Sequence, residues 1–210
     1  MKKLFQKYTL QSEKNGPITV VRFLKWSTVY AGGFDQSSAY LVKLWGRGIA
    51  EVPKNTPVQT VCMLGLGGGC ALRVIEKRFP EARVTVIEWD PVMVRIAKDL
   101  HQFRKEPEIL IGDVCDVLPN LHRQFDLVLG DAFFGDKPES RIAEREVGNA
   151  LRNLLAPQGK FIINISRTPA LLDALQEFLH LEKTIQFRIN TVGVFTSLSS
   201  GGHGGNRTRA

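Results

Sequence analysis

The amino-acid sequence predicts an α/β fold, with a seven-stranded, mostly parallel sheet and helices on both faces. From residue 58 onward, short apolar runs rich in β-branched residues alternate with segments whose apolar residues recur at helical spacing. Such alternation is typical of parallel strands joined by helical crossovers. With 210 residues and 43% apolar content, the chain is long enough to bury a core of this size. A small N-terminal β-region precedes the sheet.

The first 57 residues predict a small basic region made of strands and one helix. The Asn-Gly-Pro triplet at residues 15–17 indicates a turn, and the alternation over residues 18–30 predicts one strand. Ser37 and Ser38 are of a type that caps helix N-termini, so a short helix is expected to follow and to end at a glycine before residue 50. Residues 53–57 predict a linker.

The second predicted domain, residues 58–196, contains the sheet. Its expected strands are residues 58–64, 83–88, 108–111, 125–130, 160–165, 184–189 and 192–196. Its expected helices are residues 71–79, 90–100, 139–155 and 169–180. Asp90-Pro91 gives the second helix an N-cap followed by proline at its first position. Residues 197–210 are rich in glycine and serine, which predicts a disordered tail.

Positive charge is concentrated in the N-terminal region. Residues 1–57 contain nine lysines and arginines against three acids, so most of the net charge of +7 lies there. All three tyrosines and two of the three tryptophans also lie in this region. A basic, aromatic-rich region could attract an anionic partner such as a nucleic acid. The alternative is a packed subdomain with a solvated lysine face.

Several classes of protein are disfavoured by composition. No apolar run is long enough to cross a bilayer, and no signal-peptide pattern follows the first residues. The three cysteines, Cys62, Cys70 and Cys115, form no CxxC pair, and the histidines lack zinc-type spacing. We therefore expect a cytoplasmic protein with no membrane segment and no metal site.

The segment after the first sheet strand is suited to close backbone approach by a ligand. Residues 61–70 read VCMLGLGGGC, a strand running into a glycine turn and a helix start. Glycines take positive φ without steric cost, and the helix start offers free N–H groups, although a plain structural turn is the alternative. Glu88 ends the second strand, where an acid can accept both hydroxyls of a ribose. Trp89 could pack on an adenine face or in the core.

Two aspartates follow the third and fourth strands. Asp113 is placed to accept a hydrogen bond from an amine such as that of adenine, or else to cap the next helix. Asp131 is placed to take a proton from an attacking amine or hydroxyl, or else to cap a turn. Residues 132–136 contain glycine and two phenylalanines and predict a mobile apolar lid. Because ligands bind at the carboxyl ends of parallel strands, these features should meet at one edge.

Four segments together resemble the class I S-adenosylmethionine-binding, Rossmann-like fold, and within it the spermidine synthase-like branch. In chain order they are LGLGGG (64–69), VIEWDP (86–91), IGDV (111–114) and DLVLGDAF (126–133). More loosely, GGFDQ (32–36) is similar to that family's N-terminal β-region, whose glutamine contacts the cofactor.

This resemblance implies S-adenosylmethionine, or its decarboxylated form, as the cofactor. The implied cofactor-binding residues are Gln36, Gly65, Gly67, Gly69, Glu88, Trp89, Asp113 and Val114. The glycines would face the methionine-derived part, Glu88 would hold the ribose, and Asp113 would hold the adenine amine. Asp131 would be the catalytic base beside the acceptor. Related enzymes are often dimers, so the resemblance also implies a homodimer.

Two departures from authentic spermidine synthases bear on the reaction. Those enzymes carry an aspartate in the glycine turn that meets the aminopropyl amine, and here that position is Gly68. They also carry a diamine-binding acid shortly after the catalytic one, where this chain has Phe133 and Phe134, with Asp136 as a more distant replacement. A diamine is a dication, which a protein of net charge +7 repels at long range.

The sequence thus leaves several functions open. Methyl transfer is slightly favoured over aminopropyl transfer, with a small-molecule acceptor expected and a nucleic acid as the alternative through the basic N-terminal region. A non-catalytic nucleotide- or nucleic-acid-binding module of the same fold is the competing class. An NAD-dependent oxidoreductase would share the glycine turn and Glu88, but it leaves Asp113 and Asp131 without a role.

Overall fold

The structure, a computed structural model, describes residues 4–24, 26–101, 103–131, 139–165 and 170–198. Two separate sheets are present. The N-terminal sheet is antiparallel, with its four strands in chain order. These strands are β1 (Phe5–Ser12), β2 (Gly16–Phe23), β3 (Trp26–Ala31) and β4 (Phe34–Ser37).

The single strand expected over residues 18–30 is wrong: this stretch forms the β2–β3 hairpin. Phe23 pairs with Trp26, and Leu24 turns the chain at a φ of 55°. No glycine, asparagine or aspartate marks this turn, so the sequence lacked the usual signal. Buried side chains occupy even-numbered positions before this turn and odd-numbered positions after it. Val20 pairs with Val29 on the covered face, whereas Trp26 is 52% exposed.

The second sheet has seven strands in the order β10-β11-β9-β8-β5-β6-β7. Strands β5 to β9 run parallel to one another, whereas β11 pairs antiparallel with both β9 and the edge strand β10. The predicted fold class, seven-stranded and mostly parallel with a small N-terminal β-region, is confirmed. The strands are β5 (Thr60–Leu64), β6 (Arg83–Glu88), β7 (Glu108–Ile111), β8 (Phe125–Gly130), β9 (Leu155–Ile165), β10 (Leu179–Phe187) and β11 (Asn190–Ser197).

Helices cover both faces of the seven-stranded sheet. They are α1 (Ala39–Ile49), α2 (Cys70–Arg78), α3 (Pro91–Leu100), α4 (Val114–Val117), α5 (Arg145–Leu154) and α6 (Ala170–Leu175). Among the described residues, no helix is both long and apolar enough to cross a membrane.

Two predicted helices are shorter than expected. The segment 139–155 begins as a 3₁₀ turn, Glu139–Ala143, and becomes α-helical only from Arg145. The segment 169–180 ends as α6 at Leu175, and β10 begins at Leu179. In both segments apolar residues recur at helical spacing, but tertiary pairing with the sheet decides where each helix ends.

Alternate residues of strand β5 face two different cores. Cys62 and Leu64 pack on the face covered by α4, α5 and α6, whereas Val61 and Met63 face α1 and α2. Helix α1 belongs to this second core through its fully buried Trp45. The helix therefore packs on the large sheet, although it lies within the predicted N-terminal region.

The N-terminal sheet is fastened to α3. Ile18, Val20 and Val29 form a small apolar core with Met93 and Ile96 of that helix. Because α3 follows β6, this packing places the N-terminal sheet beside the carboxyl edge of the large sheet.

Polar contacts strengthen the same junction at the tip of the β1–β2 hairpin. Asp90 caps α3 by accepting from the Val92 N–H, and its other oxygen accepts from Ser12 Oγ and Asn15 Nδ2, both at 2.6 Å. Since Asp90 is fully buried, this one carboxylate joins the start of the helix to the hairpin.

Candidate active site at the carboxyl edge of the sheet

The carboxyl ends of four parallel strands form one continuous edge. The Gly65 N–H donates to the Ile87 carbonyl (2.9 Å), and the Asp131 N–H donates to the Leu64 carbonyl (2.9 Å). The Gly112 N–H likewise donates to the Glu88 carbonyl (3.0 Å). These cross-strand hydrogen bonds fix the spacing of the loops that carry the predicted site residues.

Glu88 lies buried directly beneath the glycine turn. Its Oε2 accepts from the Leu66 N–H at 2.8 Å and the Gly67 N–H at 3.4 Å, and its Oε1 accepts from the Asp90 N–H at 3.0 Å. Burial raises the pKa of Glu88, and the backbone donors oppose that rise. The carboxylate therefore shapes the turn by accepting hydrogen bonds from three backbone N–H groups.

The glycines of the turn are required by backbone conformation and close packing. Gly65, Gly67 and Gly69 all have positive φ, between 53° and 93°. A Cβ on Gly67 would lie 2.5 Å from the carbonyl oxygen of Gln36, which also accepts from the Gly68 N–H at 3.3 Å. The backbone of the predicted cofactor residue Gln36 thus lies directly against the turn.

Gly68 is also packed against the N-terminal sheet. A Cβ there would lie 2.5 Å from Ser37 Cβ and 2.7 Å from Val29 Cγ2. An aspartate cannot be accommodated at this position unless the sheet moves. The departure at Gly68 therefore has a structural cause in the close approach of β3 and β4.

Gly69 packs against a buried histidine that the sequence analysis did not identify. A Cβ on Gly69 would meet His101 Cδ2 at 2.8 Å, and His101 Nε2 lies 2.7 Å from the Gly68 carbonyl oxygen. Burial is the main cause that lowers the pKa of His101 to about 4, so the ring is neutral near pH 7. A carbonyl oxygen only accepts, so Nε2 carries the proton and donates to it.

Asp113 has the capping role, one of the two roles considered from the sequence, and its second oxygen pairs with an arginine. Its Oδ1 accepts from the Cys115 N–H at 2.8 Å, which caps α4, while Oδ2 contacts Arg141 at 3.2 Å. Arg141 also pairs with Asp116 at 2.9 Å. The neighbouring predicted residue, Val114, is the buried first residue of α4.

Trp89 follows Glu88 and is only partly buried. The Lys14 ammonium lies 5.9 Å from the centre of its ring. Lys14 belongs to the β1–β2 turn, so the N-terminal sheet borders this side of the edge. The ring is therefore accessible at its margin and not wholly part of the core.

Asp131, the predicted base, follows β8 and accepts from two side chains. Trp45 Nε1 donates to Oδ2 at 3.1 Å, and Asn164 Nδ2 donates to Oδ1 at 3.5 Å. Burial raises the pKa of Asp131 from 3.8 to about 7, while these two donors lower it and the charges of Glu88 and Asp35 raise it further. A carboxylate with this pKa exchanges a proton near neutral pH.

Three residues around Asp131 were missed as functional candidates. Trp45 lies in the short helix predicted after Ser38 and Asp35 lies in the GGFDQ segment, but neither was named as a site residue. Asp35 is half-buried, and burial raises its pKa. Asn164 did carry a signal, since it is a polar residue between isoleucines in an apolar strand. The predicted lid and Asp136 lie outside the described residues.

Comparison with known proteins finds transferases that are similar to this part of the chain. Residues 62–163 match a family described as a methyltransferase domain. Over 169 residues the chain is 28% identical to an eEF1A lysine and N-terminal methyltransferase of Danio rerio, covering 71% of this chain and 24% of the relative. Over 109 residues it is 28% identical to a polyamine aminopropyltransferase of Neisseria meningitidis, covering 50% and 41%. The chain thus spans less than half the length of either curated relative.

Solved structures show the same fold. A probable spermidine synthase from Corynebacterium glutamicum superposes with a TM-score of 0.72 at 16% identity, covering 90% of this chain and 79% of the other. Human methyltransferase-like protein 13, solved in complex with SAH, superposes with a TM-score of 0.59 at 20% identity, covering 77% and 82%. A spermidine synthase in complex with the transition-state analogue AdoDATO gives 0.69 at 16% identity, covering 90% and 72%.

Together the fold and these matches support the class I S-adenosylmethionine-dependent methyltransferase fold. Within that class the chain has the spermidine synthase-like form, in which a small N-terminal antiparallel sheet accompanies the seven-stranded sheet. The resemblance stated from four sequence segments is therefore confirmed.

Proposed function

We propose that this chain is an S-adenosylmethionine-dependent methyltransferase that acts on an amine, with Asp131 as the base. The observation that carries the proposal is the pair of carboxylates at the ends of β6 and β8, the two strands that flank β5. Glu88 ends β6 and lies under the glycine turn, and Asp131 follows β8 with a pKa raised to about 7. The matched relatives are named as methyltransferases of lysine and N-termini or as polyamine transferases, and all these acceptors are amines.

The residues present fit the cofactor. The turn containing Gly65 and Gly67 brings bare backbone to the edge, and Glu88 offers carboxylate lone pairs beside it for ribose hydroxyls. Among the described residues, Asp113 Oδ2 contacts the long side chain of Arg141. This oxygen suits an adenine amine. Gln36 lies against the turn, and Trp89 and Val114 border the adenine end in this arrangement.

The chain's contribution to transfer is alignment and proton removal. The cofactor would supply a methyl group on a positively charged sulfur, and the acceptor nitrogen would attack the methyl carbon in line with the carbon–sulfur bond. The sulfur would leave with the electron pair of that bond as the new nitrogen–carbon bond forms. The proton lost from nitrogen passes to the Asp131 carboxylate, whose pKa of about 7 suits that exchange at neutral pH.

Methyl transfer is favoured over aminopropyl transfer by the packing at Gly68. Close contacts with Ser37 and Val29 leave no room for an acid that would bind the aminopropyl amine from this position. The net charge of +7 also disfavours a dicationic acceptor. Aminopropyl transfer is nevertheless the second candidate, because several curated relatives are polyamine aminopropyltransferases.

The nucleic-acid-binding alternative has less support from the N-terminal sheet. Arg22 and Tyr8 both contact Asp99 of α3, at 3.4 and 3.0 Å. Lys14 lies over Trp89. Part of the basic and aromatic content thus fastens this sheet to the transferase domain, and neither a nucleic acid nor a second copy of the chain enters the proposal.

A product assay tests the proposed reaction. The protein is incubated with intact or decarboxylated S-adenosylmethionine and with lysine-containing peptides, free N-terminal peptides or a diamine. Formation of S-adenosylhomocysteine with a peptide supports the proposal. Formation of methylthioadenosine with the diamine would replace it by aminopropyl transfer, and no product in any combination would contradict transfer to these amines.

A further inference from the structure

A chain of hydrogen-bonded side chains runs from the surface of α1 to Asp131. Tyr40 Oη lies 2.6 Å from Asn190 Oδ1, and Asn190 Nδ2 donates to Asn164 Oδ1 at 2.8 Å. Asn164 Nδ2 donates to Asp131 Oδ1 at 3.5 Å. The four residues come from α1, β11, β9 and the end of β8, so the chain connects four elements around the candidate base.

The donor and the acceptor of each hydrogen bond in this series follow from the chemistry of Asp131. An ionised Asp131 only accepts, so Asn164 must present its amide nitrogen to it. The oxygen of Asn164 then faces Asn190, which must present its own nitrogen and leave its oxygen for the Tyr40 hydroxyl. All the donors in the chain consequently point toward the carboxylate.

The chain can also be satisfied when Asp131 is protonated. A protonated Asp131 donates, so the Asn164 amide would turn its oxygen toward it and its nitrogen toward Asn190. The Asn190 nitrogen would then face Tyr40, whose hydroxyl has a second acceptor in the Phe187 carbonyl oxygen at 2.9 Å. Reversal of the two amides therefore leaves no group without a partner.

Burying these amide side chains is energetically costly unless each polar group forms a hydrogen bond. Asn190 is only 5% exposed, and Asn164 lies between Ile163 and Ile165 at the edge of the core. Burying an amide without partners is unfavourable, so an apolar side chain would suit these strand positions better for stability alone. A purely structural alternative is that the chain holds the β10–β11 hairpin on α1, where the Tyr40 and Phe187 rings stack at 5.2 Å.

We propose that Asn164 and Asn190 are positioning residues for proton transfer, with the Tyr40 hydroxyl as the outer end of their chain. This inference rests on the proposed role of Asp131 as the base. The two amides hold the Asp131 carboxylate toward the acceptor and support it both before and after it takes the proton. If the amides have this role, replacing them shifts the pH at which Asp131 titrates. A role in hairpin attachment alone predicts no such shift.

The test measures the titration of Asp131 by carboxyl NMR in cofactor-free protein, together with the pH dependence of transfer. The variants are Asn164→Leu, which removes the donor, and Tyr40→Phe, which removes only the outer hydroxyl and keeps the stacked ring. Asn153→Leu, an exposed position on α5, is the control. Among the described residues, Asp131 also interacts electrostatically with the titratable groups of Glu88, Asp35 and Cys70, and all three stay unchanged.

We expect the midpoint of Asp131 to move to higher pH in Asn164→Leu and by less in Tyr40→Phe, with no movement in the control. The low-pH limb of the transfer profile should move in the same direction, with kcat reduced and the KM for cofactor unchanged. A folded Asn164→Leu with the wild-type titration would overturn the inference, and if that variant does not fold, an unmoved midpoint in Tyr40→Phe would do the same. The NMR readout needs no turnover, so wild-type protein that transfers nothing would count against the proposed function alone.

Discussion

At the scale of single residues, the proposed chemistry depends on how Asp131 is held. Its carboxylate has two neutral donors, Trp45 and Asn164, and no cationic partner among the described residues. Burial is therefore the main influence on its pKa, which rises to about 7. A base paired with an arginine would instead have a lowered pKa and a weaker tendency to take a proton.

Replacing Asp131 by asparagine tests its assignment as the base. Asp131→Asn keeps the size and polarity of the side chain, so we expect cofactor affinity to change little. Transfer should fall by about 10²-fold or more, the usual contribution of a positioned base. Steady-state assays and calorimetry measure the two effects, with Asp173→Asn on α6 as a surface control. Full activity in Asp131→Asn would remove this residue as the base.

The same substitution predicts a pH-dependent gain in stability. The pKa of Asp131 rises from 3.8 to about 7 on folding, so between these values the folded protein binds a proton that the unfolded chain releases. The stability of the wild type due to this group therefore falls as pH rises through that range. Asp131→Asn lacks this loss, so its Tm relative to wild type should increase from about pH 4 to pH 7 and then level off. A Tm difference that is constant over this range would contradict the buried environment assigned to Asp131.

Glu88 should affect both the cofactor and the glycine turn. Glu88→Ala removes the acceptor of the Leu66 and Asp90 N–H groups, so we expect a loss of about 1–3 kcal/mol in the free energy of unfolding. Loss of the ribose contact should weaken cofactor binding by about 1–3 kcal/mol as well. Chemical denaturation and calorimetry measure these, with Glu177→Ala at an exposed position as the control. Unchanged cofactor affinity in a folded Glu88→Ala would exclude the ribose role.

The sequence predicted the acidic residues at strand ends, but it did not predict the side chains that hydrogen-bond to Asp131. Glu88, Asp113 and Asp131 were predicted because parallel strands place their carboxyl ends together. Trp45 could not be assigned to Asp131, because its contact depends on how α1 packs across the sheet. Asn164 was detectable as an isolated polar residue in a strand, but its partner could not be deduced without the register of β9 and β11.

At the scale of elements, the glycine turn is shaped by the N-terminal sheet as much as by any ligand. Gly67 lies against β4, and Gly68 lies against both β3 and β4. The two sheets therefore meet at the candidate site itself. A side chain added at Gly67 or Gly68 would have to displace part of the N-terminal sheet.

Gly68→Ala tests this contact. The added Cβ would come within 2.5 Å of Ser37 Cβ and 2.7 Å of Val29 Cγ2, so we expect a destabilisation of about 1–3 kcal/mol. Gly46→Ala is the matched control, because a Cβ added to Gly46 in α1 would have no neighbour within 4 Å among the described residues, and it should stabilise by about 0.5–1 kcal/mol. Denaturant unfolding compares the two variants. Equal stability of Gly68→Ala and wild type would show that the sheets do not meet this closely.

The boundaries of elements were predicted well where local signals agreed with the sheet. Strands β6, β7 and β8 have the predicted bounds, and α3 begins after its Asp90 cap as expected. The β2–β3 hairpin was missed because its turn at Leu24 contains none of the residue types that mark tight turns. These differences come from long-range pairing, which a local pattern does not contain.

At the scale of the whole molecule, the N-terminal sheet lies beside the carboxyl edge of the large sheet. The small sheet packs on α3 through apolar residues and through the buried Asp90. Its hairpin brings Lys14 over Trp89 on one side of the edge. Lys14, one of the cations of the basic N-terminal region, therefore borders the site of the proposed reaction.

Calorimetric titration of the wild-type protein with intact and with decarboxylated S-adenosylmethionine tests the central claim most directly. The claim is that the strand ends bind this class of sulfonium nucleoside, with no acid at Gly68 to select the decarboxylated form. We predict saturable binding of the intact form at one site per chain, tighter than that of the decarboxylated form. Tighter binding of the decarboxylated form would contradict the proposed methyl transfer, and the absence of saturable heat with both compounds would contradict the assignment of the site.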